Sequence, residues 1–316
     1  MSLILPELND IISAHSRIKD FIHKTPVLTS TLINEITGAE LFFKCENFQK
    51  IGAFKYRGAT NAILCLDDEA KSKGVATHSS GNHAQALALA AKINGIEATI
   101  VMPDNSPSVK INAVRDYKGN VVLCKPTLEA RETTLEQIVN EKGCTVIHPY
   151  NNFNVICGQG TSAIELLNDY SDLDIVIAPV GGGGLLSGTA TAVKGINKNI
   201  KVIAAEPEGA NDAFLSFKKG EIVSSINPKT ICDGLLTSLC DLTFEVIKNR
   251  VDEIITVKED PIKFAMKLIW QRLKIVIEPS SAVTLAVILE NKEKFAGKKI
   301  GLILSGGNID FEKFVW

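Results

Sequence analysis

Lys55 sits in the run Lys50-Ile51-Gly52-Ala53-Phe54-Lys55-Tyr56-Arg57-Gly58-Ala59. A lysine between an aromatic residue and a glycine-bearing stretch has the local setting in which a desolvated amine serves as a nucleophile. Spacing alone does not separate that role from a solvated surface cation. Three further segments could grip an anion. Ser79-Ser80-Gly81-Asn82-His83 follows one predicted strand and opens a helix, where backbone N–H groups and the positive helix end suit a carboxylate or phosphate. An ordinary N-cap is the competing reading. Val180-Gly181-Gly182-Gly183-Gly184-Leu185 follows a second strand, and its glycines let the backbone approach a phosphate closely. A dinucleotide turn would place the third glycine differently. Ser305-Gly306-Gly307-Asn308 closes the last predicted strand. Three such turns at strand ends suggest one ligand held from several sides.

Glu206-Pro207-Glu208-Gly209-Ala210-Asn211-Asp212 offers two carboxylates and turn carbonyls, an oxygen set suited to Mg²⁺ or Ca²⁺ rather than zinc. A solvated acidic turn is the alternative.

The elements that must position these groups read as short apolar strands alternating with longer helical stretches. Strands are predicted at 75–79, 98–102, 121–123 and 145–147, then at 175–179, 201–205, 254–256 and 299–304. Helices are predicted at 82–94, 108–118, 128–142, 158–168, 185–194, 261–271 and 280–292. This alternation implies parallel sheets covered on both faces. Two doubly wound α/β lobes follow, with the site between them at the strand C-terminal ends.

Composition narrows the function classes. A net charge of −2 on 316 residues offers no basic face, which argues against nucleic acid or an anionic membrane as a partner and for a small-molecule substrate. Seven scattered cysteines with no CxxC pair argue against a disulfide framework or a zinc site. Residues 1–20 carry charges throughout and lack a signal-type apolar core, and no apolar run reaches membrane-spanning length. A cytosolic or similarly reducing compartment is expected.

Taken together, these segments resemble the fold-type II pyridoxal-phosphate enzymes, most closely the serine racemase and serine/threonine dehydratase group. The likeness runs from Ile18 to Phe314. It is carried by Thr25-Pro26-Val27-Leu28, Phe43-Lys44-Cys45-Glu46-Asn47-Phe48-Gln49, the Lys55 segment, the Ser79 turn, Gly158-Gln159-Gly160-Thr161, the four-glycine turn and the Ser305 turn. It implies a tryptophan synthase β-like fold, with a discontinuous large domain (1–67 and 153–316) and a small substrate-gripping domain (68–152). It also implies pyridoxal 5'-phosphate bound to Lys55 as a Schiff base, Phe54 against the ring, Gly181, Gly182, Gly183 and Gly184 around the phosphate, Asn82 on the ring hydroxyl, and Ser305 at the pyridine nitrogen. A hydroxyl there makes the ring a weaker electron sink than an acidic partner would.

Within the group, Ser80 stands where racemases place the acid/base opposite the lysine and ordinary threonine dehydratases usually have alanine. Ser79, Ser80, Gly81, Asn82 and His83 would hold the substrate, with Arg131 and Thr237 nearby. Glu206, the Ala210 carbonyl and Asp212 match the family's divalent-cation site. Lys50, Gln85, Tyr117, Lys274 and Asn308 match positions that bind an activating nucleotide (ATP) at the dimer interface of some racemases, although Ile51 replaces a polar residue there. Tyr150 stands where racemases often carry asparagine. The chain ends at Trp316 without the regulatory domain of feedback-inhibited dehydratases, so isoleucine control is not expected. The expectation is a homodimeric serine racemase with accompanying dehydratase activity. The rivals are a catabolic threonine/serine dehydratase and a non-catalytic amino-acid or nucleotide-binding protein on the same scaffold.

Overall fold

The computed structural model describes residues 3–311. Its strands are β1 (Val27–Leu28), β2 (Glu40–Cys45), β3 (Val75–His78), β4 (Ala98–Pro103), β5 (Asn120–Cys124), β6 (Thr145–Val146), β7 (Ile175–Pro179), β8 (Lys201–Pro207), β9 (Glu253–Val257) and β10 (Lys299–Leu304). They form a six-stranded sheet in the order β1-β2-β10-β7-β8-β9 and a four-stranded sheet in the order β5-β4-β3-β6. Every pairing is parallel except β1 with β2. The mixed α/β fold with parallel sheets is therefore as expected.

Parallel register explains how distant segments meet. Leu304 pairs with Cys45 and Pro179 with Ala205, so the turns after β2, β7, β8 and β10 leave the large sheet at one end. That end is where open α/β sheets hold ligands. In the small sheet, His78 pairs with Val101 and Ala76 with Val146, which brings the turn after β3 near residues 147–150.

Strands β1 and β2 escape the sequence reading for identifiable reasons. β1 has two residues, too few for a pattern. β2 reads Glu-Leu-Phe-Phe-Lys-Cys, and its last five residues are all buried, Lys44 included. A charged side chain inside a buried run hides the continuous apolar signal of a central strand. The helix Lys55–Leu64 is missed for a related reason: it is buried from Tyr56 to Ile63, polar Arg57, Thr60 and Asn61 among them, and shows no clean stripe.

The helices Glu259–Leu273 and Pro279–Glu290 cover one face of the large sheet, with Phe43, Ile177, Met266 and Leu285 in their shared core. The helices Leu8–Ile18, Phe153–Asp169, Gly184–Ile196 and Asp241–Arg250 cover the other. Two of these cross closely: a Cβ at Gly188 would lie 2.5 Å from the Gly160 backbone nitrogen, so only glycine permits the approach. A third core joins the helices Lys55–Leu64 and Asn82–Ile93 to Val75 and Ile100 of the small sheet. Among the described residues no helix is long and apolar enough to cross a membrane.

Candidate active site

The Lys55 segment is stitched to the turn after β10. Phe54 N donates to Ser305 O at 2.9 Å and Gly307 N to Gly52 O at 2.9 Å, with a bridge between Ala53 and Gly306. Lys55 opens its helix from this anchored strand end, and its Nζ donates to Pro149 O at 2.9 Å. The same Nζ lies 5.1 Å from the Phe54 ring centroid and 5.9 Å from that of Tyr150. Burial lowers its pKa to about 8, against the opposing charge of Glu278. A neutral amine near physiological pH is a competent nucleophile.

The four glycines line one wall. Gly183 adopts the left-handed conformation (φ 87°) as it enters the helix Gly184–Ile196. Cβ atoms added at Gly182 and Gly184 would lie 2.4 and 2.9 Å from Tyr150 side-chain atoms, and one at Gly181 2.9 Å from Leu235 Cα. Only glycine fits this crowded turn, which opens a 13-residue helix whose first N–H groups need acceptors. That fits a phosphate.

The turn after β3 meets Glu278 and the turn after β10. A Cβ at Gly81 would meet nothing within 4 Å, so this turn borders open space. Gly81 N donates to Ser79 Oγ at 3.3 Å. Asn82 starts the helix Asn82–Ile93, its Nδ2 donating to Glu278 Oε2 at 3.1 Å and its Oδ1 accepting from Asn308 Nδ2 at 2.8 Å. His83 Nε2 lies 2.9 Å from Ile147 O, an acceptor, so this nitrogen carries the proton. Burial and the nearby Lys55 charge push His83 down to about 3, and His148 falls to about 4 through burial, His78 and Lys55. These histidines stay neutral beside the amine.

Glu278 is the residue that sequence reasoning missed. It is 3% exposed and lies 3.5 Å from Ser305 Oγ, which also contacts Ser281 Oγ at 3.0 Å. Burial raises its pKa to about 7, with the Asn82 hydrogen bond opposing. A titratable carboxyl therefore stands behind the hydroxyl expected at the pyridine nitrogen. The available signal was the apolar run Ile275-Val276-Ile277 followed by Glu278-Pro279, a strand-like stretch running into a helix start with proline at its first position.

Other expected residues divide. The Tyr150 hydroxyl hydrogen-bonds the side chains of Thr237 and Cys240, which joins Thr237 to the pocket wall, and burial raises the Tyr150 pKa. Arg131 Nε donates to Thr127 O of its own first turn, and its charge helps lower the His78 pKa after burial. Lys50, Ile51 and Asn308 come together, since Asn308 Nδ2 donates to Ile51 O at 2.8 Å and Lys50 Nζ lies 5.6 Å from the Tyr56 ring. Gln85 lies on the helix Asn82–Ile93, whereas Tyr117 and Lys274 end two separate helices.

At the end of β8, Glu206 accepts from Ala213 N and Phe214 N, each at 2.9 Å. Asp212 begins the helix Asp212–Lys219, and its buried Oδ2 has no hydrogen-bond partner among the described residues. Burial raises Glu206 to about 8, with Asp212 adding to the rise, and raises Asp212 to about 6. No group of three or more His, Cys, Asp or Glu side chains converges among the described residues. Glu206, Asp212 and the Ala210 carbonyl would be the donor set for a hard cation, and the orphaned buried Asp212 oxygen fits one.

A family model described as "Pyridoxal-phosphate dependent enzyme" matches residues 18–306. The chain is 55% identical over 307 residues to a serine racemase of Dictyostelium discoideum, covering 96% of this chain and 95% of that one. The solved structure of the Dictyostelium enzyme superposes with a TM-score of 0.93, covering 96% and 99% of the two chains. A β-hydroxyaspartate dehydratase of Paracoccus denitrificans is 52% identical, covering 99% of this chain and 100% of that one. The structure of maize serine racemase superposes with a TM-score of 0.96 at 46% identity, covering 98% and 95%. A glycine cradle, a lowered lysine and a full-length match to such relatives together establish that the chain belongs to the pyridoxal-phosphate dependent enzyme family.

Proposed function

We propose that this chain interconverts L- and D-serine and, at the same site, converts serine and threonine to keto acid and ammonia. The observation that carries the reading is Ser80, placed on a turn that borders open space and continues into His83, whose pKa the Lys55 charge lowers. Pyridoxal phosphate, when bound, supplies the electron sink that acidifies the Cα proton. Lys55 would carry it, with Gly181 to Gly184 on the phosphate, Phe54 on the ring, Asn82 at the ring hydroxyl and Ser305 at the nitrogen.

The chain's own groups divide the proton work. Ser79 to His83 offer backbone N–H groups to the substrate carboxylate. Lys55 takes and returns the Cα proton on one face, and the Ser80 hydroxyl serves the other. The neutral histidines leave the amine without a competing cation. Loss of the same proton also permits departure of the β-hydroxyl, so elimination accompanies racemisation. The lobes would be residues 1–67 with 153–316, and 68–152. A Mg²⁺ or Ca²⁺ ion on Glu206, Ala210 and Asp212 would brace the large lobe. The reading includes a homodimer in a cytosolic compartment, which seven unpaired cysteines fit; Ile51 in place of a polar residue argues against ATP activation.

A dehydratase that barely racemises is the second reading, favoured by the 52% identity to a hydroxyaspartate dehydratase and by Tyr150 at a position where racemases often carry asparagine. Incubation with L-serine and L-threonine, with D-serine and keto acid measured separately, decides between them. Undetectable D-serine sinks the racemase reading. Ser80→Ala is expected to lose D-serine formation about 10²-fold while elimination from the L-substrate falls much less.

A further inference from the structure

Lys44, Glu46 and Arg57 lie in segments that carry the family resemblance, yet the site chemistry uses none of them. With Glu165 they meet in the interior, their side chains 0%, 0%, 0% and 3% exposed. Arg57 Nε and Nη2 hold Glu46 at 2.7 and 2.8 Å, and Nη1 and Nη2 hold Glu165, each at 2.7 Å. Lys44 Nζ reaches Glu165 at 2.6 Å and Thr25 O at 2.7 Å. Thr25 Oγ1 donates to Glu46 at 2.6 Å, and Thr161 Oγ1 accepts from Arg57 at 3.2 Å. Two cations and two anions cancel.

Such a quartet is a poor way to add stability. Each ion loses several kcal/mol of hydration on burial, and apolar replacements of matched pairs are often neutral or stabilising. It does add geometry, because a planar guanidinium held on two carboxylates has one orientation. Arg57 belongs to the first turn of the helix Lys55–Leu64, about 200° around the axis from Lys55. Its anchors lie at the end of β2 and on the helix Phe153–Asp169. That first turn has no side-chain cap, unlike the helices capped by Asp67, Thr127 and Asn152. The helix is pressed between two others, with Gly158 against Gly58 on one side and the helix Asn82–Ile93 on the other.

We infer that the Arg57 quartet is a positioning device, locking the rotation and height of the first helical turn so that Lys55 Nζ is held at the Pro149–Tyr150 wall. Arg57 touches no substrate. It acts through the two-residue link to Lys55. The inference rests on the assignment of Lys55 made above.

The test replaces one matched pair, Arg57→Met with Glu46→Leu, which leaves Lys44 and Glu165 neutral together, and compares it with Arg57→Lys. In the holoenzyme, the double variant is expected to unfold near the parent's midpoint while kcat falls about 10²-fold with little change in KM. In the cofactor-stripped full chain, the pH dependence of Lys55 carbamylation by cyanate, mapped by peptide, reads the amine directly. Its midpoint is expected to rise from about 8 toward the ordinary lysine range in the double variant, with Arg57→Lys between the two. A folded double variant with parental kcat and parental Lys55 titration overturns the inference. So does failure of both variants to fold, which would assign the quartet to folding alone. Borohydride fixation separates the levels. Cofactor fixed to Lys55 in the parent, with unchanged variants, sinks only the positioning role; no fixation at Lys55 sinks both.

Discussion

Two buried clusters of charge lie in the large-sheet half of the molecule, and they are built on opposite plans. Around Arg57, two cations face two carboxylates, and hydroxyl and carbonyl groups take up further hydrogen bonds. Around Glu206, two carboxylates share a turn with no cation beside them, and Asp212 Oδ2 has no partner among the described residues. A compensated cluster keeps its charges and needs nothing more. An uncompensated one must bind protons or a cation, because an isolated buried charge is costly. The first plan suits the scaffold role proposed for Arg57, and the second suits the cation proposed at Glu206 and Asp212.

The sharpest way to break the comparison is to spoil the compensated cluster. Arg57→Ala leaves the buried Glu46 without its cation, Glu165 keeping Lys44, and is expected to lose about 3–5 kcal/mol of stability in urea unfolding. A loss no larger than that of a surface substitution would mean the cluster is not self-sufficient. The next effect belongs to the other cluster. Saturating Mg²⁺ or Ca²⁺ at about 100 times its Kd should stabilise the chain by about 2.7 kcal/mol, and Asp212→Asn should abolish that gain. An unchanged thermal midpoint with either cation would remove the cation reading.

The pH dependence separates the clusters further. The folded-state pKa of Glu206, raised from 4.5 to about 8, means the folded chain holds a proton the unfolded chain has released across that interval. Without divalent cation, this group lowers stability as pH rises from about 4.5 to about 8. His83 and His148, held down to about 3 and about 4, raise it up to about 6.5, so the net fall is expected from about 6.5 to about 8. Asp212 and Glu278 contribute in the same direction as Glu206 up to about 6 and about 7. Lys55, lowered to about 8, does the reverse: stability rises from about 8 toward 10.5 as the unfolded chain loses its extra proton. A minimum near pH 8 is expected in the thermal midpoint, and cation should fill in its acidic side. A flat profile from about 6.5 to about 10 would contradict the burial assigned to Glu206 and Lys55. The smallest expected effect is at a neutral contact. Tyr150→Phe loses the hydroxyl bonds to Thr237 and Cys240, worth about 1 kcal/mol, and KM for L-serine should rise about fivefold; an unchanged KM would detach that wall from the substrate.

Much of the candidate site stands out in the chain, because anion chemistry constrains backbone as well as side chains. A phosphate needs bare N–H groups, so the glycines at 181–184 and the hydroxyl-glycine turns at 79–83 and 305–308 stand out after apolar runs. Glu278 did not, since one carboxylate before a proline also describes an ordinary exposed helix start. Nothing local in the sequence marks Arg57, Glu46, Lys44 and Glu165 as partners, since they lie 11 to 121 residues apart.

What the sequence determined alone was the alternation of strand and helix, the turn chemistry and the family to which those motifs belong. These follow from local patterns of apolar, glycine and hydroxyl residues. Only the tertiary structure decided which charges are paired and which are left waiting. That outcome depends on parallel register carrying the ends of β2, β7, β8 and β10 to one edge, and on a buried guanidinium finding two carboxylates there. Burial then sets the protonation of Lys55, Glu278 and Glu206, because desolvation depends on surroundings that no single segment contains.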